Sequence, residues 1–428
     1  MAYIALILFF MLEYIRPGNF LPVLNVLRLN SIVPLLAVFL TIVGKSKVSN
    51  EEALAEGNTK IVGGLMALML LSVMTADVTL YAYTMFMATI GYALIYWVIA
   101  KQVTDMPKIK GIFMVLVFVH IVVAALTPQM FSDPSSRSYR VAAGSFLGDG
   151  NDFALSVNVA IPFCLFLLLE ETRYWRKILY LGALLFMVVA VVATQSRGGT
   201  IALACVALYY WLKSDRKLIM SAVGVVLVAV VLATAPPSYF ERMDTISSHE
   251  DGSAQGRIYA WTAAVNMALD HPLLGVGSGH FAVAYGTKYR VMLDVPGQTA
   301  HSIYFLILGE LGFPGLFLLL AFIFWNLKAN RRLAKDIRQR PGESRTEANL
   351  LTALSASVIA FATGGAFLSA VYYPHLYMVA GLAAAGRRLV RQRESVAVGA
   401  MEKRDGPVVS LHPAMARPVG RGPLSRTS

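Results

Sequence analysis

The chain has 428 residues, of which 57% are hydrophobic and 14% charged, and its mean hydropathy is +0.61. That composition leaves too little polar surface for a water-soluble domain. The formal net charge of +12 does not indicate a nucleic-acid partner, because the basic residues sit in short connections between apolar segments and in the tail.

The apolar stretches recur at lengths able to cross a hydrocarbon layer of about 30 Å as helices. Backbone in lipid must satisfy its own hydrogen bonds, and the alternation of a membrane barrel is absent. In chain order the predicted spans are Ala2–Ile15, Leu29–Gly44, Ile61–Ala76, Thr79–Ala100, Pro107–Leu126, Phe153–Leu169, Ile178–Thr194, Thr200–Leu212, Leu218–Ala235, Ile303–Trp325, Leu350–Leu368 and Val371–Ala385. The first lacks a basic leader and a small-residue cleavage site, so it reads as a span rather than a signal peptide. Cys164 and Cys205 both fall inside spans, which argues against a disulfide framework and a cysteine metal site. The expected fold class is all-α: a polytopic membrane protein of about 12 helices, with a membrane domain over 1–394 and a disordered basic cytoplasmic tail over 395–428.

Charge tests this map. Connections after even-numbered spans carry Lys45, Lys47 and Lys60; Lys101, Lys108 and Lys110; Arg173, Arg176 and Lys177; Lys213, Arg216 and Lys217; then Lys328 to Arg345; then Arg387 and Arg388. The odd connections are poor in net positive charge. Both termini are therefore expected in the cytoplasm and the odd connections outside. The outer segments near 127–152 and 236–302 are long. Within the second, Ile258, Trp261, Val265 and Leu269 recur at helical spacing, which predicts a short helical cap lying on the membrane.

Three outer positions suggest chemistry. Arg197 lies in the tight turn Gln195-Ser196-Arg197-Gly198-Gly199; it is either a snorkelling arginine or an anion ligand whose glycine neighbours admit a bulky phosphate. Arg257 opens the amphipathic stretch, as a solvated loop charge or as half of an anion site with the helix N-terminus. His301 precedes the tenth span, as an interfacial cap or a proton-transfer group. Glu310 follows nine residues later, about 13 Å down a helix and on the opposite face. A carboxylate there costs roughly 2.5–3.5 kcal/mol, so it is expected to have a partner and to act structurally. Asp149, Asn151 and Asp152 cluster at the mouth of the sixth span, where Asn151 or Asp152 is the expected helix cap.

The order Ser196-Arg197-Gly198-Gly199, Gly256-Arg257 with Trp261, Asp270-His271-Pro272-Leu273-Leu274-Gly275-Val276-Gly277, His301-Ser302 and Glu310-Leu311-Gly312 resembles the O-antigen ligase and polymerase superfamily over about Asn151 to Gly315. The opening Glu13-Tyr14-Ile15-Arg16-Pro17 is also similar to O-glycosylation ligases of exosortase A systems. The resemblance implies a C-type, metal-independent, inverting glycosyltransferase of the inner membrane without a cofactor. Its donor would be a glycan on undecaprenyl pyrophosphate and its acceptor a lipid, glycan or protein hydroxyl at the periplasmic face. Carried over by motif, Arg197 and Arg257 bind pyrophosphate and His301 is catalytic. Glu310 and Asp152 are supporting candidates, and Arg242 and Arg290 of the outer segments are unranked candidates for sharing the phosphate contacts. A repeat-unit polymerase would use nearly the same donor site. A flippase or transporter would instead need polar residues around a midplane cavity, which the clean spans do not offer.

Overall fold

The computed structural model describes residues 1–132, 146–214, 217–235, 239–240, 252–290, 298–339 and 345–405. Each predicted span is met by a helix: α1 (Ala2–Ile15), α2 (Leu29–Val43), α3 (Gly57–Thr75), α4 (Thr79–Gln102), α5 (Met106–Ala125), α6 (Gly150–Glu170), α7 (Tyr174–Ala193), α8 (Arg197–Lys213) and α9 (Lys217–Thr234). The large outer segment contributes α10 (Gly252–Asp270) and α11 (Phe281–Thr287). The chain closes with α12 (Ile303–Arg338), α13 (Arg345–Gly365) and α14 (Pro374–Asp405). Seven of these, α3 to α7 with α12 and α13, are long and apolar enough to cross a membrane by length and composition; α1, α2 and residues 220–233 of α9 are shorter apolar helices.

The centre is a layer of α6 and α13. Helix α6 packs on α5, α7, α8 and α13, and α13 packs on α8 and α12. Small residues make this burial feasible: Ala353, Ser355, Ala356, Ser357, Ala360 and Gly364 on α13 let neighbouring backbones approach. Where a hydroxyl is buried it bonds to backbone, as Ser357 Oγ does to the Val159 carbonyl at 2.7 Å. Exposed large apolar side chains are gathered on outer helices such as α2, α7 and α9, the pattern of surfaces that meet lipid rather than water.

Three sequence expectations change here. First, α12 continues to Arg338, so most of the basic connection after the tenth span is helix. Its interior is bent at Gly312, where φ is +65°, two residues before Pro314. Second, α10 begins at Gly252, ahead of the regularly spaced apolar residues, and runs beside the first half of α12. Trp261 stacks on Phe305 at 4.8 Å, and the Pro272 carbonyl accepts from Phe313 N–H at 3.0 Å at the α12 bend. The face packed inward is Ala260, Ala263, Ala264, Met267 and Ala268, whereas Ile258, Val265 and Leu269 are exposed. Alanines win the inner face because only a thin helix side fits this close to α12. Third, α14 continues beyond the expected boundary at 394 to Asp405, over residues with no helix-breaking proline; residues 406–428 lie outside the described residues.

The chain divides at Leu389 into Met1–Leu389 and a second unit from Val390. Within the first unit, some of the basic residues that mark topology are also packed. Arg387 is fully buried, bonded to Glu56 and, at 2.8 and 2.9 Å, to the side-chain oxygens of Asn326 and Asn330. Arg388 donates to the Ala100 and Val103 carbonyls at 2.6 and 2.7 Å. Pro374, at the other end of α14, lies about 20 Å from Arg387 by the usual helical rise.

Candidate functional site

A cavity of about 580 Å³ opens where the mouths of α6, α8, α10 and α12 meet the α13–α14 connection. It brings together segments from the connections after the fifth, seventh, ninth and eleventh predicted spans. That is the convergence expected if all of them emerge on one side. Arg197, Arg257, His301 and Asp152 all line it.

Each is fixed by local structure. Arg197 is the first residue of α8; Ser196 is its N-cap and accepts from Gly199 N–H at 3.1 Å. Gln195 takes a left-handed φ of +52° to make the turn. The glycines after Arg197 line the cavity and have a packing role besides. A Cβ at Gly199 would stand 2.7 Å from Ala154 Cβ, and one at Gly198 would stand 2.9 Å from Phe367 Cβ. They are required for helix packing, and Asn158 Nδ2 donates to the Gly199 carbonyl at 2.9 Å across the same contact. Arg257 is not in the first turn of its helix, because α10 begins at Gly252. It projects from the second turn, so the helix N-terminus contributes little to an anion site there.

His301 stands outside α12 and is strained, with φ +47°. Its N–H donates to Ser369 Oγ at 2.9 Å, Ser369 donates to Thr299 Oγ1 at 3.0 Å, and Trp261 Nε1 donates to the Ala300 carbonyl at 2.9 Å. These bonds over-determine the turn and hold the imidazole at the cavity wall. Burial, then the Arg257 charge, push its proton affinity below the ordinary imidazole range, while Asp149 pulls it up. The balance favours a neutral ring, able to accept a proton.

Asp149, rather than Asn151 or Asp152, caps α6: its carboxylate accepts from Asn151 and Asp152 N–H at 2.8 and 3.0 Å. Asp152 is thereby released from capping. Its Oδ1 accepts from Tyr373 O–H at 3.0 Å. The cavity thus has cationic and acidic groups on its wall, with the polar side chains of Gln298, Thr299 and Ser369 between them.

Glu310 does not line the cavity. It is buried and accepts from Gly279 N–H at 2.8 Å, Phe281 N–H at 3.0 Å and Tyr372 O–H at 2.6 Å. With Val276 and Gly277 N–H bonded to the Gly309 and Glu310 carbonyls, it staples the glycine-rich run to α12. Gly275, Gly277 and Gly279 all have positive φ, so that run can be followed only by glycine. Glu310→Ala would leave two backbone N–H groups and a tyrosine hydroxyl unpaired. A loss of roughly 3–5 kcal/mol is expected, read as a lower thermal midpoint of the detergent-purified protein. An unchanged midpoint would remove the staple role.

Arg290 is half-buried and does not line the cavity, and Arg242 lies outside the described residues. Sequence reading missed Gln298, Thr299, Ser369 and Tyr373. The signal was faint: α13 ends at Gly364-Gly365 and α14 begins at Pro374, so eight residues that read as almost continuous span are a loop. No group of three or more His, Cys, Asp or Glu side chains that could hold a metal gathers among the described residues.

Residues 182–320 match the O-antigen ligase family, a stretch that contains Arg197, Arg257, His301 and Glu310. No curated protein matches the chain.

Proposed function

We propose that this chain, which carries an O-antigen ligase domain over residues 182–320, transfers a glycan from an undecaprenyl-pyrophosphate carrier to an acceptor hydroxyl at the periplasmic face of the inner membrane. The observation that carries the reading is the convergence of Arg197, Arg257 and His301 on one cavity from two separate connections, those after the seventh and the ninth predicted spans. A volume of about 580 Å³ lies within the range of small-ligand sites, which suits a pyrophosphate and its adjoining sugar rather than the whole lipid-linked glycan.

In this mechanism the two guanidinium groups hold the pyrophosphate by forked, charge-assisted hydrogen bonds. The acceptor oxygen attacks the anomeric carbon from the side opposite the pyrophosphate. The new C–O bond forms as the bond to the pyrophosphate oxygen breaks; the electron pair leaves with the carrier pyrophosphate, and the arginines stabilise its growing charge. His301 Nδ1 or Nε2 takes the acceptor's proton. Back-side attack inverts the anomeric centre, and the arginines supply the charge stabilisation that a divalent cation gives elsewhere. Asp152, steadied by Tyr373 at the cavity wall, takes a supporting role beside the reacting groups.

The test is acceptor glycosylation in cells lacking the protein, complemented with wild type or His301→Ala at equal membrane abundance. The expected result is restoration by wild type only, with carrier-linked glycan accumulating in the mutant. Full restoration by His301→Ala would sink the reading. The length of glycan on the acceptor separates ligase from polymerase, since loss of a polymerase leaves single units on the acceptor and loss of a ligase leaves none.

A further inference from the structure

One turn below Asp152, wholly inside the bundle, lies a chain of hydrogen bonds that the transfer mechanism does not use. His120 Nδ1 is 2.6 Å from the Leu116 carbonyl, His120 Nε2 is 2.7 Å from Ser156 Oγ, and His375 Nε2 is 2.8 Å from the same Ser156 Oγ. All three side chains are buried. They are enclosed by aromatic rings: Tyr14 lies 5.1 Å from His120 and Phe146 lies 5.2 Å from His375, centroid to centroid.

With both rings neutral, the contacts along this chain assign its protons. A carbonyl can only accept, so His120 Nδ1 donates to Leu116 and, in the neutral ring, His120 Nε2 is an acceptor. Ser156 has one hydroxyl hydrogen and must give it to His120. His375 Nε2 must then donate to Ser156 Oγ. The direction of donation is His375 to Ser156 to His120 to Leu116. Because the chain terminates on a backbone carbonyl, a proton entering it has nowhere to leave. It is not a relay; its role is to hold parts in place.

What it holds is read from the connectivity. Ser156 lies one helical turn after Asp152 on α6, and His375 lies two residues after Tyr373. Tyr373 O–H donates to Asp152 Oδ1 at 3.0 Å, and His375 donates to Ser156. The same two segments, the first turns of α6 and the entry to α14, are therefore joined twice, once at the cavity wall and once beneath it. His120 ties the lower joint to α5. His375 Nδ1 finds no partner among the described residues, an imperfection that burial ordinarily penalises. It is tolerated here while the opposite nitrogen makes the joint.

We infer that the His120–Ser156–His375 chain is a positioning device for the Asp152–Tyr373 wall of the cavity. His375 and Ser156 are positioning residues of the transfer reaction, acting through Asp152; this rests on the glycosyl-transfer reading above.

The test uses the full-length protein in proteoliposomes with a carrier-linked donor and an acceptor. His375→Phe removes the donor to Ser156 while filling the space. It is expected to lower kcat about 10²-fold, the loss associated with a misplacement near 1 Å, with donor affinity unchanged. His375→Gln carries an amide N–H that reaches Ser156, and is expected to recover most of the rate. In an Asp152→Asn background, His375→Phe should cost little more, because its effect passes through Asp152. A full second loss in that background, or no rescue by glutamine, overturns the proposal. Hydrogen exchange gives a reading independent of activity. His375→Phe should speed exchange of amides in 150–156, while amides of 303–311 keep the wild-type rate. Unchanged exchange in 150–156, or equal acceleration in both segments, overturns the proposal. Wild-type protein that transfers nothing would count against the glycosyltransferase reading, and exchange would still decide whether the joint exists.

Discussion

Arg197→Lys and Arg257→Lys are each expected to lower kcat/KM by about 10²–10³-fold, the cost of losing one well-placed donor to a developing oxyanion. Lysine keeps the charge, so a site that needs only positive potential would tolerate both changes. A pyrophosphate bound by planar forks would not, because an ammonium group cannot make the paired bonds. The double variant should lose less than the product of the single losses, since both arginines act on one leaving group. Steady-state transfer in proteoliposomes reads this directly. Wild-type rates in either lysine variant would remove that arginine from the leaving-group site. Gly199→Ala serves as a contrast: its Cβ would stand 2.7 Å from Ala154 Cβ. It should lower the amount of folded protein, because the constraint there includes helix packing.

The second large effect concerns His301. His301→Ala should lower kcat by about 10²–10⁴-fold, the usual worth of a placed general base. The pH profile adds a sign. The base must be neutral to work, so activity falls as pH drops through its folded-state pKa. Burial and Arg257 place that pKa below the ordinary imidazole value of 6.5, and Asp149 partly opposes them. Activity should therefore persist below pH 6.5 and fail only in more acid solution. Removing the repelling cation with Arg257→Gln should move the acid limb of the residual activity to higher pH. Removing the attracting carboxylate with Asp149→Asn should move the limb to lower pH, provided the α6 cap is replaced by the asparagine side chain. Shifts in the same direction, or an acid limb that survives His301→Ala, would assign the titration to another group.

Much of this architecture is written in the chain because lipid simplifies the problem. A span must be apolar, must be about 20 residues long and must close its own hydrogen bonds. Its helices can thus be read one at a time, and α1 to α9, α12, α13 and α14 stand where hydropathy puts them. Charge alternation then sorts the connections onto two sides, and that is enough to collect Arg197, Arg257, His301 and Asp152 as candidates for a common site. Glu310, expected to have a partner, has three: two backbone N–H groups and Tyr372.

What the sequence could not decide was which contacts these residues make across helices. Of the apolar stripe Ile258, Trp261, Val265 and Leu269, only Trp261 packs on α12, and α10 otherwise turns its alanines to that helix, because the gap between two helices rewards thinness over bulk. Gly198 and Gly199 read as room for a ligand and do line the cavity, but they also make room for Phe367 and Ala154. His120 and His375 are 255 residues apart and carry no motif; only the packing of α5, α6 and the entry to α14 puts both rings on Ser156. Helix position follows from the local free energy of a segment in lipid, which composition records. Side-chain partnership depends on which helices become neighbours, a property of the whole bundle that no single segment encodes.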